Sequence, residues 1–132
     1  MSYMNRHKYN ARKTTVDGIT FDSKAEADYY KHLQFLEKSG EIDGFRMQVR
    51  FNLIPSFNHP TKRNKDGKPS KVRAVNYVPD FVIEKGGEEY VVDVKGMRTA
   101  DFNLKAKMFM HKYGIPLYLA KKKGRGFDVK PL

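Results

Sequence analysis

Residues 77–95 read YVPDFVIEKGGEEYVVDVK: two runs of strand-forming residues joined by Gly86-Gly87, with an acid in each run and a lysine two places after the second acid. Adjacent glycines favour the primed turn of a two-residue hairpin loop, whose central residues need positive φ. With that turn Lys85 faces Glu88, and Asp80 falls opposite Asp93. Like charges facing each other across a ladder are destabilising unless something compensates them. A hard divalent cation is the usual compensation, because it takes oxygen ligands and inverts the local charge balance. Side-chain direction alternates along a strand, so Lys95 shares the face of Asp93, while Val82 and Val91 make that face at least partly buried. Ionised acids facing each other there without a cation would be costly. One face of one hairpin carries two carboxylates and an ammonium, and that is chemistry rather than packing.

The chain on either side predicts helices flanking this hairpin. Asp22 or Ser23 is placed to cap a helix running to Lys38, with Ser39-Gly40 as its stop. Its buried stripe is Tyr30, Leu33 and Leu36, with Tyr29 beside them. Residues 47–54 alternate Val49, Phe51 and Leu53 with Gln48, Arg50 and Asn52, which predicts a half-buried strand ended by Pro55. The hairpin strands span 72–84 and 88–95, and Pro79 disfavours a fully bonded central position for the first. Thr99 opens a second helix to Tyr113, closed by Gly114, with Ala106, Phe109, Met110 and Tyr113 as its inward residues. A short strand over 117–120 and another over 127–129, separated by a turn at 121–126, complete the order: helix, three strands, helix, one or two strands.

The 132 residues suit a single domain over 16–132 preceded by a flexible basic arm over 1–15. The formal charge of +11 is concentrated in segments and favours a polyanionic partner, most simply nucleic acid. Those segments are the arm, with Arg6, Lys8, Arg12 and Lys13; a long loop over 56–71, with Lys62, Arg63, Lys65, Lys68 and Lys71; and the C-terminal turn, with Lys121, Lys122, Lys123 and Arg125. All are expected to contact backbone phosphates without reading bases. The chain has no cysteine, which excludes disulfide staples and thiolate zinc sites. It shows no long apolar run and no leader, so no membrane is expected and the cytoplasm is the expected location.

Glu26 adds a third carboxylate. It lies three residues after Ser23 and in helical register with Tyr30 and Leu33, on or beside the buried stripe. Ser23 and Glu26 also fit a capping box, in which the glutamate bonds back to the cap amide. One side chain cannot fill both roles fully.

Pro79-Asp80, then Asp93-Val94-Lys95, with Glu26 on a preceding helix, resembles the PD-(D/E)XK nuclease superfamily. FDSKAEADYYKHL over 21–33 looks like the helix entry of its transposon-end and junction-cutting branches. With DVKG at 93–96 and LKAKMFMHKYGI at 104–115, the chain resembles small phage-encoded endonucleases of the Holliday-junction-resolvase type across roughly 20–120. The resemblance implies an α/β, restriction-endonuclease-like fold, a mixed β-sheet flanked by helices with an αβββαβ core. It implies a nuclease in which Asp80, Asp93 and the Val94 carbonyl bind Mg²⁺ or Mn²⁺, Glu26 ligands or orients a water, and Lys95 positions that water or neutralises developing charge. Lys105 is the better candidate, ahead of Lys107, for a second cationic group. Branched DNA as substrate, a homodimer making paired cuts, and a phage-encoded protein in a bacterial host follow from the same resemblance. The alternatives are a nicking or sequence-specific endonuclease and a non-catalytic nucleic-acid-binding module on the same fold.

Overall fold

Residues 12–132 are described in a computed structural model, so Arg6, Lys8 and most of the expected arm lie outside the described residues. Residues 14 and 15, expected in that arm, are instead strand. β1 (Thr14–Val16) pairs antiparallel with β2 (Ile19–Phe21) across Asp17-Gly18. Both turn residues have positive φ, 53° and 75°, as an Asp-Gly hairpin loop requires. Asp17 accepts from the Tyr30 hydroxyl and Gln34 Nε2, which fastens this hairpin to the next helix.

That helix, α1 (Lys24–Lys38), has Ser23 as its N-cap and stops at Ser39 and Gly40 as its sequence predicts. Tyr29, Tyr30 and Leu33 are buried; Leu36 is half-buried.

The strand expected over 47–54 does not form as one piece. Gln48 has φ of 60°, which an extended strand cannot contain, and the chain divides around it. β3 (Gly44–Arg46) joins the main sheet; β4 (Phe51–Ile54) leaves it and pairs with β7 (Val75–Tyr77).

The long loop expected over 56–71 is also corrected. β5 (Phe57–Arg63) and β6 (Pro69–Val72) pair antiparallel in a sheet of their own. A ladder satisfies backbone groups whether or not the side chains bury anything, so low core content does not exclude strands. The strand expected over 72–84 is likewise cut into β6, β7 and β8 (Phe81–Lys85). The last cut is at Val78-Pro79-Asp80, where proline has no N–H to offer a ladder.

β8 and β9 (Glu88–Val94) form the expected hairpin, in register from Lys85↔Glu88 to Phe81↔Val92. Gly86 and Gly87 have φ of 60° and 80°. Nothing obstructs a side chain at Gly87, so only backbone strain opposes one there. Gly87→Val is expected to lower stability by about 1–2 kcal/mol in urea unfolding; an unchanged midpoint would mean that the turn does not depend on glycine.

α2 (Ala100–Tyr113) is capped by Thr99 and closed by Gly114 in the left-handed region, as expected. Tyr113 lies at the rim of the core, 37 % exposed, its ring against Phe51 and Phe109 and its hydroxyl donating to the Asn52 carbonyl at 2.8 Å, and Phe102 is buried in the core as well. β10 (Leu117–Lys123) and β11 (Gly126–Pro131) run longer than expected, so Lys121, Lys122 and Lys123 lie on a strand rather than in a turn.

The main sheet has the order β11-β10-β9-β8-β3, with β9 and β10 parallel and the other pairs antiparallel. Phe81, Ile83, Val92 and Val94 pack with α1, whereas Val82, Val91 and Leu117 pack with Phe102, Ala106 and Phe109 of α2. A helix therefore covers each face, in the order α1, β3, β8, β9, α2, β10, which is the αβββαβ arrangement. Among the described residues no helix is long and apolar enough to cross a membrane.

Candidate functional site

Asp80 and Asp93 meet where β8 and β9 separate. The ladder ends at Phe81↔Val92, and beyond it each acid bonds to the opposite backbone. Asp80 N–H donates to Asp93 Oδ1 at 2.8 Å, and Val94 N–H donates to Asp80 Oδ2 at 2.8 Å. The Tyr77 hydroxyl donates to Asp93 Oδ2. Asp93 is only 2 % exposed and is the one fully buried charged residue among those described.

This geometry stresses Asp80. Burial first, then the charges of Asp93 and Glu26, push its carboxyl up to about 8. Burial, then Asp93 and Asp80, raise the Tyr77 phenol too, so it remains a donor. Glu26 is raised by burial and by Asp22 and Asp93, while Lys95 pulls it back. Glu26 thus lies within the field of Asp93 and Lys95, and Asp80 within that of Asp93 and Glu26.

They do not close into a ready cage. Among the described residues no three Asp, Glu, His or Cys side chains converge on one point. Asp80 and Asp93 are a pair, and Glu26 is their neighbour. Ser23 Oγ accepts the Glu26 N–H at 3.1 Å, which is the forward half of the capping box; no return bond from the Glu26 carboxylate to the Ser23 amide forms. The Ser23 hydroxyl nevertheless acts on the Glu26 carboxyl and lowers it, so the side chain lines the cleft while keeping contact with its cap. Lys95 Nζ sits 4.7 Å from the Phe102 ring centroid, held by a cation–π contact rather than by an acid.

Glu26 stands between two clefts. One, of about 600 Å³, is lined by Asp22, Glu26, Gln48, Pro79 and Asp80 among others. The second, of about 630 Å³, is lined by Arg12, Lys24, Glu26, Val94 and Lys95 among others. The donor chemistry is that of a hard divalent cation: Asp80 and Asp93 offer carboxylate oxygens, and a cation there would offset the burial and the Asp93 and Glu26 charges that raise the Asp80 carboxyl.

The other expected positions are scattered. Lys105 pairs with Asp101 of its own helix at 3.6 Å. Lys122 pairs with Asp28 at 3.2 Å and lies over Phe127. Burial alone would raise the Asp28 carboxyl, but the hydrogen bonds from Lys24 and Lys122 outweigh it and hold it below its usual range. Lys122 thus ties β10 to α1. Lys13, Lys121, Lys123 and Arg125 are exposed, as are Lys62, Arg63, Lys65, Lys68 and Lys71 on the β5–β6 ribbon. Tyr77 was missed at the sequence level. Its one signal is that a buried tyrosine needs a partner for its hydroxyl, and only the break at Pro79 brings that hydroxyl to Asp93.

The family whose sequence profile matches the chain, over residues 6–122, is described as "Protein of unknown function (DUF1064)". No curated protein matches the chain.

Proposed function

This chain belongs to the DUF1064 family, and we propose that it is a metal-dependent endonuclease that hydrolyses DNA phosphodiester bonds. The observation that carries the reading is the Asp80–Asp93 pair, Asp93 buried and Asp80 half-buried, with Asp80 lining one open cleft, Lys95 the other and Glu26 both. The resemblance of Pro79-Asp80, Asp93-Val94-Lys95 and Glu26 to the PD-(D/E)XK superfamily points the same way. Asp80, Asp93 and the Val94 carbonyl would hold Mg²⁺ or Mn²⁺. When bound, the ion supplies a more nucleophilic water and neutralises charge on the phosphoryl group.

The chain's own residues prepare that chemistry. Tyr77 and the Asp80 amide fix both oxygens of Asp93, and the Val94 amide fixes one of Asp80, so neither acid needs to reorient. Lys95, resting on Phe102, presents an ammonium to the cleft where a phosphoryl oxygen would gather charge. Glu26 lines both clefts and is placed to orient a water. Selectivity for branched DNA and a homodimer making paired cuts are supported by the resemblance alone.

One observation favours a second reading, a non-catalytic DNA-binding module. The hydrogen bonds of Asp80 and Asp93 would also serve as locks on two diverging strands. Against it, a pure binder gains nothing from carboxylates beside the path of phosphates.

Cleavage of a four-way junction, a nicked duplex and a linear duplex, with Mg²⁺ and with EDTA, separates the two. Cleavage is expected only with the metal. Glu26→Gln is expected to abolish it while changing stability by less than about 1 kcal/mol, because Ser23 still caps the Glu26 amide. A stable, fully active Glu26→Gln would return Glu26 to a structural role, and activity in EDTA would sink the metal-dependent reading.

A further inference from the structure

The ribbon of β5 and β6 buries almost nothing, yet it is built to hold its shape. It pairs with no other strand among those described. At its tip Asn64 Oδ1 accepts from Asp66 N–H at 2.9 Å and Lys68 N–H at 3.0 Å, and Asn64 N–H donates to the Lys68 carbonyl at 2.8 Å. Arg63 Nη1 reaches the Gly67 carbonyl at 3.0 Å. Lower down, where the register shifts, His59 Nδ1 accepts from the amides of Thr61 and Lys62. A segment that is almost wholly exposed and still fastens its own tip and bulge is shaped for something outside the chain.

Its charge says what. Lys62 and Arg63 lie on one strand, Lys65 and Lys68 at the tip, and Lys71 on the other strand; all are exposed, and Asp66 is the single acid among them. Cations on both strands suit a ribbon lying between two walls of phosphate better than one lying along a single backbone. The major groove of duplex DNA has such walls, about 12 Å apart, and admits a two-stranded ribbon. Seven residues of β5 at about 3.3 Å each give a reach of roughly 23 Å, about two thirds of a helical turn.

The ribbon is also tied to the acids. β5 and β6 are nested between β4 and β7, and β7 ends at Tyr77, whose hydroxyl holds Asp93. We propose that the β5–β6 ribbon is a duplex-binding arm that enters the major groove and sets the DNA at a fixed distance from the Asp80–Asp93 pair. This rests on the DNA-binding part of the proposed function and not on its hydrolytic part.

The test is binding of a fluorescent duplex in EDTA, where hydrolysis plays no role. The protein is compared with a variant carrying Lys62→Gln, Lys65→Gln, Lys68→Gln and Lys71→Gln. These side chains are exposed, so the fold should survive. A shorter variant replaces 57–72 by a glycine turn and serves if the first fails to fold. Affinity for duplex is expected to fall at least tenfold near 0.1 M salt, with the log–log salt slope reduced by about 3–4 units. Methyl green, a major-groove ligand, should displace the wild-type protein, and netropsin, a minor-groove ligand, should not. An unchanged slope, displacement by netropsin alone, or equal loss on single-stranded DNA would each overturn the arm. Loss of cleavage with all these binding results intact would overturn only the hydrolytic reading.

Discussion

Asp93→Asn is expected to lose DNA cleavage on the order of a thousandfold or more while still folding, whereas Asp93→Ala is expected to lose both cleavage and much of its stability. The two substitutions separate what Asp93 does for charge from what it does for structure. Asp93 accepts the Asp80 amide and the Tyr77 hydroxyl from a position 2 % exposed. Alanine strands both donors, at about 1–3 kcal/mol for each buried group left unpaired. That is a large fraction of the 5–15 kcal/mol typical of a small domain. Asparagine keeps an oxygen for the Asp80 amide, and the Tyr77 hydroxyl can turn to accept from its amide group, so only about 1 kcal/mol should be lost. The negative charge is gone in both, and with it a ligand whose contribution to a bound cation is several kcal/mol of transition-state stabilisation. Mg²⁺-dependent cleavage of DNA and urea unfolding, measured side by side, give the two quantities. An Asp93→Asn variant that still cleaves would leave Asp93 as a strand lock and remove it from the proposed metal site.

The acid pair was legible in the sequence because every step towards it is local. Gly86-Gly87 select the turn, the turn sets the register, and strand periodicity then carries Asp80 to Asp93. The helix ends were legible for the same reason: Ser23, Thr99 and Gly114 act within one turn of themselves. What was hidden depended on partners distant in sequence or on patterns without a core signal. The β5–β6 ribbon carries turn residues and lysines where strands usually carry β-branched residues, because both of its faces are mostly exposed. Asp17-Gly18 did offer a hairpin signal, but it was masked by the basic residues before it. Gln48 adopts a positive φ without being glycine or asparagine, so nothing in its identity marks the break between β3 and β4. The resemblance implied Glu26 as a ligand or as a group orienting a water. Periodicity places it near the acids, yet only three-dimensional distance decides that the described acids do not close as a trio.

The charge stress at Asp80 predicts an inverted dependence of stability on pH. Its carboxyl rises from an ordinary 3.8 to about 8 on folding, chiefly through burial and then through Asp93 and Glu26. Between about pH 4 and pH 8 the folded chain therefore holds a proton that the unfolded chain has released. Stability must fall as pH rises through that window, by up to about 1.4 kcal/mol per unit, and level off above it. Asp80→Asn removes the titration but keeps an oxygen for the Val94 amide. In the absence of metal it is expected to be a few kcal/mol more stable than wild type at pH 8.5 and nearly equal to it at pH 4, while losing cleavage. Taking the difference between the two proteins cancels every other titrating group. Divalent ions should act in the opposite direction on wild type. Mg²⁺ competes with the proton for the same oxygens, so 10 mM Mg²⁺ should raise the melting temperature at pH 8.5 far more than at pH 5.5, and should leave Asp80→Asn unmoved. A wild-type and Asp80→Asn difference that stays flat from pH 4 to 8.5 would mean that Asp80 ionises without penalty, and the pair would then need no cation.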